Sequence, residues 1–346
     1  MPSEPGRAGK PRDWPASFEP PLGADAMTRV LTSIMAGEAP AEEIRTFLTT
    51  LAHRGETAEE IAAAVEVLRA HAVPLPLSRS YELCDTCGTG GDGSGTINVS
   101  TLAALVAAAA GVRVAKHGNR AASSRCGSAD LMEALGVNLE ASPVQVARSI
   151  EELGFGFCFA PTFHPAMKVV APIRKALGIR TIFNLVGPLA NPAPLTFQLV
   201  GVSEARLLRP MAEALVHLGV RHGLVVRGHD GLDEVTTTAA TSLLEVRDGA
   251  ITERQLDPTS LGIPRGTLSD LRGGNPPQNA VMARAVLSGR RSAIRDIIAL
   301  NAGCAFYVAG QARTIQEGIT TASEVLASGR ALELLDRVKG LSADAG

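Results

Sequence analysis

The chain has 346 residues, of which 45% are hydrophobic and only 3% aromatic. Its 33 Lys and Arg residues nearly balance its 35 Asp and Glu residues, so the formal net charge is −2. A protein that binds nucleic acid by neutralising phosphates normally has a basic excess, and this composition argues against that class. The length predicts a large domain with a smaller one, and the abundant small aliphatic residues favour helices packed on a sheet.

The first 20 residues are rich in proline, glycine and charge and contain no apolar segment typical of a secretion signal. We expect residues 1–20 to form a disordered extension. The apolar run at 102–110 is about half of the length that a bilayer span requires, so it predicts a buried helix. Five cysteines are too few and too scattered for a disulfide framework. These features predict a cytoplasmic protein that is not associated with a membrane.

Three amphipathic segments, at 24–37, 41–54 and 57–72, predict helices at the start of the ordered chain. Thr57 and Glu60 have the spacing of a capping box, which marks the beginning of the third helix. A proline-containing break follows, and it indicates a domain boundary near residue 80. We therefore expect a helical N-terminal domain over residues 21–80, completed by helices around 165–190, and an α/β domain over residues 81–346.

Strand and helix patterns alternate after residue 80. Strands are predicted to end near 85 and to lie at 112–115, 155–160, 197–202 and 223–227, with helices at 100–110, 129–135 and 143–153. Such alternation is typical of a mainly parallel sheet flanked by helices. Asp248 and Gly249 lie between two alternating runs and predict a hairpin over 242–253. The final segments, at 279–288, 292–309 and 314–338, predict helices.

The segment CDTCGTGGDGSGTINVST, residues 84–101, contains five glycines between Gly88 and Gly95. A glycine-rich turn between a strand and a helix exposes backbone N–H groups at the positive end of the helix dipole, which favours an anion. The segment has neither the Gly-Lys-Ser/Thr ending of a nucleoside-triphosphate loop nor the G-x-G-x-x-G spacing. Asp92, Asn98 and Ser100 add polar side chains that suit a ligand carrying both phosphates and a sugar.

A second motif, AKHGNRAASSRCGSADLMEALG at 115–136, places cations and hydroxyls before another predicted helix. Lys116 is suited to stabilise a leaving pyrophosphate. Arg120 and Arg125 are alternatively solvated or intersubunit residues, and His117 is either a ligand or an ordinary hydrogen-bonded loop histidine. Cys84 and Cys87 form a C-x-x-C pair, which we interpret as buried thiols because no second pair and no redox helix follows.

Four segments together resemble the anthranilate phosphoribosyltransferases: GTGGDGSGTINVST, KHGNRAASSRCGSAD, FAPTFHPAMKVVAPIRKALGIRTIFNLVGPLANP and GLDEVTTT. The resemblance covers residues 24 to 338. It implies an α/β domain like that of the nucleoside phosphorylases, a homodimer, and transfer of the phosphoribosyl group of 5-phosphoribosyl 1-diphosphate to anthranilate with release of pyrophosphate. That reaction is the second step of tryptophan biosynthesis.

The resemblance also implies site residues. Asp233, Glu234 and Ser100 would hold Mg²⁺, and Arg174, rather than the nearby Arg180, would face the anthranilate carboxylate. No obligatory acid or base is implied, only electrostatic help from Lys116. Substrate-binding positions are Gly88, Gly91, Asp92, Thr96, Asn98, Val99, Ser100, Thr101, Lys116, His117, Gly118, Asn119, Arg120, Ala121, Ala122, Ser123, Ser124, Ser128 and Arg174.

Two positions depart from the family's common pattern: Val169 stands where a polar residue is frequent, and Cys126 replaces a frequent serine. Both leave the details of the anthranilate channel open. A pyrimidine nucleoside phosphorylase is the nearest alternative function, but it would not need the pair Asp233 and Glu234. A non-catalytic relative that binds nucleic acid is the alternative from another class, and the near-neutral charge disfavours it.

Overall fold

The computed structural model describes residues 14–121 and 124–343, which contain one seven-stranded sheet covered by helices. Strands β1 to β5 pair in parallel in the order β3-β2-β1-β4-β5, and β6 and β7 extend the sheet in antiparallel fashion. This architecture confirms the predicted fold class. The strands are β1 (Leu83–Gly88), β2 (Val114–Gly118), β3 (Phe155–Phe159), β4 (Leu195–Gly201), β5 (His222–Gly228), β6 (Thr241–Arg247) and β7 (Ala250–Leu256).

The helices of the described chain are distributed before the sheet, between its strands and after it. They are α1 (Ala24–Met35), α2 (Ala41–Arg54), α3 (Ala58–Ala70), α4 (Val99–Ala109), α5 (Ser128–Ala134), α6 (Pro143–Leu153), α7 (Ala160–Phe163), α8 (Ala171–Leu177), α9 (Ile182–Val186), α10 (Leu208–His217), α11 (Pro276–Leu287), α12 (Ala293–Val308), α13 (Ile315–Ser328) and α14 (Arg330–Ala343). No helix within residues 14–121 and 124–343 is long and apolar enough to cross a membrane.

Local sequence signals explain several element boundaries. Thr57 accepts a hydrogen bond from the Glu60 N–H and completes the expected capping box at α3. The hairpin between β6 and β7 turns at Asp248 and Gly249, whose φ values of 49° and 82° belong to the left-handed region that a tight hairpin turn requires. The single helix expected at 314–338 is wrong. Gly329, with φ 76°, ends α13, and α14 begins at the next residue.

Two apolar layers cover the two faces of the sheet. One contains α4, α5 and α11 to α14, and the other joins α1 to α3 with α9, α10 and the opposite face of the central strands. Trp14 and Phe18 belong to the second layer, where Phe18 packs edge-on against Phe47 with ring centroids 5.2 Å apart. Residues 14–20 are therefore packed rather than disordered, because burial of two aromatic rings compensates for the cost of ordering them. Residues 1–13 lie outside the described chain.

The parallel arrangement brings several connections to one edge of the sheet. The glycine-rich loop after β1, the second loop after β2 and the acidic turn after β5 all leave from the carboxyl ends of parallel strands. In open α/β sheets this edge is where ligands bind. Helices α8 and α9, which precede β4, lie beside the same edge and form the opposite wall of a cleft.

Candidate active site

A cleft of about 590 Å³ lies at this edge of the sheet. Every residue predicted for the site lines it, apart from Ala122 and Ser123, which lie outside the described chain. The cleft also takes in residues from α7 to α9 and the segments beside them to which the sequence analysis gave no individual role, including His164, Met167 and Phe183. They lie within a segment that carries the family resemblance, but nothing local in the sequence shows that their side chains face a cleft rather than an ordinary core.

The glycine-rich loop uses its glycines for two different purposes. Gly90, Gly91, Gly93 and Gly95 have φ values between 63° and 76°, a conformation that other residues seldom adopt. Gly88 is needed for space, since a Cβ at this position would lie 2.3 Å from Oδ2 of Asp233. The loop therefore presents uncovered backbone while the acidic turn packs directly against its start.

The start of α4 provides both satisfied and unsatisfied polar groups. Asp92 accepts hydrogen bonds from the N–H and the hydroxyl of Ser94, at 3.1 and 2.8 Å, which fixes the loop. Asn98 donates to the Cys126 carbonyl at 2.9 Å, and this bond links the glycine-rich loop to the second loop. The hydroxyl of Thr101 is fully buried and has no hydrogen-bond partner within the described chain. Because buried polar groups are normally hydrogen-bonded, a hydroxyl without a partner beside a cleft is available to bond a ligand.

Lys116 and His117 come from the end of β2 and are both buried. The Lys116 ammonium donates to the His117 carbonyl at 2.7 Å and lies 3.8 Å from the Asp85 carboxylate behind it. Burial, followed by the nearby ring of His164, lowers the pKa of His117 to about 3. The imidazole is therefore neutral at physiological pH. Lys116, rather than His117, provides the positive charge at this side of the cleft.

The second loop is tied to the start of α5. The Asn119 N–H donates to the Ser128 hydroxyl at 3.1 Å, and that hydroxyl donates to the Asn119 carbonyl at 3.2 Å. Arg120 is half-exposed and pairs with Asp130 and Glu133 of α5, so its guanidinium is already engaged within the protein. Arg125 is exposed to solvent. Asn119 lines the cleft beside Ser124 and Ser128, and its side-chain oxygen accepts from the Arg120 N–H at 2.8 Å.

Arg174 and Arg180 differ in the way their charges are compensated. Arg180 does not line the cleft; it donates to the Ser203 hydroxyl at 2.8 Å and pairs with Glu204 at 3.1 Å. Arg174, on α8, lines the cleft, makes a long contact of 3.4 Å to the Asn184 side chain and lies over the Phe183 ring, 5.5 Å from its centroid. Burial lowers the pKa of Arg174, and no carboxylate in the described ranges pairs with it. A partly buried guanidinium without a counter-ion is suited to a ligand carboxylate.

The acidic turn places two carboxylates against the glycine-rich loop. Asp233 accepts from the Gly90 N–H at 2.7 Å, and Glu234 accepts from the Ser100 N–H at 3.0 Å. Burial and the nearby Asp92 charge raise the pKa of Asp233, and burial and Asp233 raise that of Glu234. Crowded carboxylates of this kind are destabilised in their charged form unless a cation neutralises them.

Mg²⁺ fits this donor set. Within residues 14–121 and 124–343, no group of three or more acidic, His or Cys side chains is arranged to hold a metal. Mg²⁺ does not require such a group, because it commonly takes one or two carboxylates and completes its shell with substrate phosphates and water. The Asp233 and Glu234 pair beside the glycine-rich loop meets that requirement.

The acidic turn is itself held by contacts that the sequence did not indicate. Asp230 accepts from the Thr236 hydroxyl at 2.6 Å and from the Thr238 hydroxyl. Asn301, fully buried on α12, accepts from the Val235 N–H at 3.1 Å and donates to the Val235 carbonyl at 2.8 Å. The contacts of Asn301 with Val235 join positions 66 residues apart, which no local pattern reveals.

The cysteines agree with the interpretation made from the sequence. Cys84 and Cys87 are free and buried, as are the other three cysteines. Burial raises the pKa of both thiols well above the usual range, so neither is a reactive thiolate. Cys126 is a buried residue of the second loop that lines the cleft, whereas Val169 is partly exposed and does not line it.

Two family profiles match the chain. The helical bundle domain of the glycosyl transferase family matches residues 19–72, and the a/b domain of that family matches residues 80–332. An anthranilate phosphoribosyltransferase of Rubrobacter xylanophilus is 51% identical over 318 residues, which are 92% of each protein. The enzyme of the same name from Clostridium beijerinckii is 47% identical over 320 residues, or 92% of this chain and 94% of that protein.

Solved structures resemble the whole described architecture. The crystal structure of anthranilate phosphoribosyltransferase from Thermus thermophilus has a TM-score of 0.90 and 49% identity, covering 94% of this chain and 98% of that one. The Saccharomyces cerevisiae enzyme in complex with PRPP and Mg has a TM-score of 0.85 and 31% identity, covering 93% and 94%. The same yeast enzyme in complex with 4-fluoroanthranilate has a TM-score of 0.84 and 30% identity, with the same coverage.

Proposed function

Because the chain belongs to the anthranilate phosphoribosyltransferases of the glycosyl transferase family, we propose that it transfers the phosphoribosyl group of 5-phosphoribosyl 1-diphosphate to anthranilate. The products are N-(5-phosphoribosyl)anthranilate and pyrophosphate, and the reaction belongs to tryptophan biosynthesis. One observation supports this most strongly. A single cleft combines a glycine-rich phosphate loop, a crowded acidic pair and the unpaired guanidinium of Arg174.

The sugar diphosphate is assigned to the sheet side of the cleft. The backbone of Gly88 and Gly91 and the N-terminus of α4 offer N–H groups to its phosphates, and the unpaired Thr101 hydroxyl offers another donor. Asp233, Glu234 and Ser100 are the residues that would hold Mg²⁺. When bound, this ion would neutralise charge that develops on the leaving pyrophosphate.

The chemistry requires stabilisation of charge more than proton transfer. Breaking the bond between C1 and the pyrophosphate oxygen leaves positive charge on the ribose and negative charge on the leaving group. The buried ammonium of Lys116 favours the developing negative charge, because a preorganised charge in a poorly solvated site is effective. The amine of anthranilate is already neutral at pH 7, so its lone pair attacks C1 without a strong base.

Anthranilate is assigned to the wall formed by α8 and α9. Arg174 would hold its carboxylate through two parallel N–H contacts, and Asn119 would approach it from the phosphate side. Such positioning holds the amine near C1 and reduces the entropic cost of bringing the two substrates together. The neutral imidazole of His117 adds a polar atom, Nε2, that has no partner among the described residues.

Further features of the protein stay predictions. A homodimer is implied by the family resemblance. The division into a helical domain over residues 21–80, with helices around 165–190, and an α/β domain over 81–346 stays a proposal; α1 to α3 share a core with α9, and that core continues into α10 and the central strands. We also propose a cytoplasmic location, because five free buried cysteines suit a reducing compartment.

A fluorescence assay of anthranilate consumption tests the function. We expect consumption that requires both 5-phosphoribosyl 1-diphosphate and Mg²⁺ and that releases one pyrophosphate per anthranilate. Phosphate-dependent cleavage of thymidine or uridine, without consumption of anthranilate, would instead identify a nucleoside phosphorylase. A salt-dependent shift of DNA on a gel, with no activity in either assay, would support a binding protein.

A further inference from the structure

The side chain of Asn98 is occupied by contacts inside the protein. Its Nδ2 donates to the Cys126 carbonyl in the second loop at 2.9 Å, and its Oδ1 accepts from Nδ2 of Asn279 at 3.1 Å. Asn98 directly precedes α4, at the point where the glycine-rich loop meets that helix. The two loops that line the diphosphate side of the cleft are therefore joined through one amide.

Asn279 belongs to a third segment, residues 271–279, which sequence reasoning did not connect with the site. This segment pairs with the glycine-rich loop: the Gly273 N–H donates to the Gly95 carbonyl at 2.9 Å, and the Ile97 N–H donates to the Leu271 carbonyl at 3.0 Å. A Cβ on Gly273 would lie 2.9 Å from the Thr96 carbonyl oxygen. This close approach shows that residues 271–279 pack directly against the backbone of the glycine-rich loop.

Asn279 is almost completely buried, with 1% of its surface exposed. Its Oδ1 accepts from the Gly274 N–H at 2.6 Å, while its Nδ2 donates to Asn98. Because a buried amide must satisfy both ends, the orientation of Asn279 fixes which end of the Asn98 amide faces it. The remaining end of Asn98 is then directed at the second loop.

We propose that Asn279 is a positioning residue, which acts through Asn98 to hold the glycine-rich loop and the second loop at the separation that one diphosphorylated sugar requires. This inference rests on the proposed function, since it concerns the same cleft. A ligand that contacts two loops at once is bound tightly only if their relative position is set before it arrives. Asn279 has no assigned contact with substrate, so its effect is indirect.

A double-mutant cycle tests the proposal. Asn279→Ala, Asn98→Ala and the double variant are compared with wild type by calorimetric titration of 5-phosphoribosyl 1-diphosphate with Mg²⁺, without anthranilate. We expect Asn279→Ala to weaken binding about five- to thirtyfold, the effect of an unsatisfied buried partner. In the Asn98→Ala background the same substitution is expected to have little further effect, because residues in one network are not additive.

Asn275→Ala is the matched control. Asn275 caps the same helix, α11, by accepting from the Gln278 N–H at 3.1 Å, but it does not line the cleft. Loss of the cap lowers the melting temperature without disturbing Asn98. We expect binding of the sugar diphosphate by this variant to equal that of wild type.

The outcomes separate the possibilities. Additive effects of the two substitutions, unchanged binding by Asn279→Ala, or equal weakening by Asn275→Ala would each overturn the positioning role. Those results would leave the proposed function intact as long as the wild-type protein consumes anthranilate. A wild-type protein that neither binds the sugar diphosphate nor consumes anthranilate would overturn both.

Discussion

Two glutamates, one half-buried beside the cleft and one buried on the sheet, have opposite surroundings. Glu234, in the acidic turn, accepts from one backbone N–H, and burial together with Asp233 raises its pKa. Glu245, on β6, accepts from the Tyr307 hydroxyl at 2.7 Å and lies 2.9 Å from Nε2 of His222. Burial alone would raise the pKa of Glu245, but these contacts and a pair with Arg254 hold it below its usual value.

The difference teaches how a ligand site can be distinguished from a structural cluster. Around Glu245 the protein supplies the partners that burial demands, so the cluster stabilises the fold. Around Glu234 it supplies too few partners and adds like charges, which destabilises the empty site and favours a cation. The cluster around Glu245 contributes to folding stability, and the carboxylates around Glu234 are available to bind a cation.

The largest expected effect is at the acidic turn. Replacing Asp233 by Asn and Glu234 by Gln should lower turnover by at least about a hundredfold, because the charge that would hold Mg²⁺ beside the leaving group is lost. Stability should be unchanged or higher, since the substitution removes repulsion. Kinetics over a range of Mg²⁺ concentrations and chemical unfolding measure the two quantities. Unchanged turnover would remove the assignment of the metal site.

Arg174→Ala should affect the two substrates unequally. A charge-assisted contact is worth about 1.5–3 kcal/mol, so we expect the KM for anthranilate to rise about ten- to a hundredfold and that for the sugar diphosphate to change little. Arg180→Ala is the control, because Arg180 pairs with Glu204 outside the cleft and should influence only stability. Equal changes in both KM values for Arg174→Ala would contradict the assigned role.

Glu245→Gln should lower stability and leave substrate binding unchanged, the opposite of the result expected for the acidic turn. We expect a loss of about 1–3 kcal/mol in the free energy of unfolding, because Gln cannot accept all the contacts that the carboxylate accepts. Both KM values should stay at the wild-type level. Urea unfolding monitored by circular dichroism measures the loss, and Tyr307→Phe, which removes one of the contacts, should lose less. A substantial rise in either KM would show that the cluster is coupled to the cleft.

The smallest effect concerns pH. His117 is buried in the cleft wall with a pKa lowered to about 3, so between that value and about 6.5 the unfolded state binds a proton that the folded state excludes. Stability should fall as pH falls through this range, by up to about 1.4 kcal/mol per pH unit for this residue.

His117→Gln should reduce that slope by about one proton, measured by urea unfolding at pH 5 and pH 6. His222 and His164, whose pKa values are also lowered, should retain their part of the slope in this variant. A slope identical to wild type would show that His117 is not held neutral in the folded state.

Features set by near neighbours in the chain were predictable from the sequence. The cap at Thr57, the hairpin turn at Asp248 and the glycine-rich loop from Gly88 to Gly95 depend on backbone conformation over a few residues, which glycine and capping residues specify directly. The parallel sheet followed from the alternation of strands and helices. The residues predicted to line the cleft were found by motif, and their positions at the carboxyl ends of parallel strands followed from the fold class.

Only the tertiary structure decided which distant groups meet. The sequence by itself determined that Asn98 follows a glycine-rich loop, but Asn98 is 181 positions from Asn279, whose side-chain amide donates to it. The packing of Trp14 and Phe18 and the support of the acidic turn by Asn301 were likewise decided by contacts across the fold. Local propensities act over about one turn of chain, whereas burial forces each polar group to find a partner wherever the folded chain brings one.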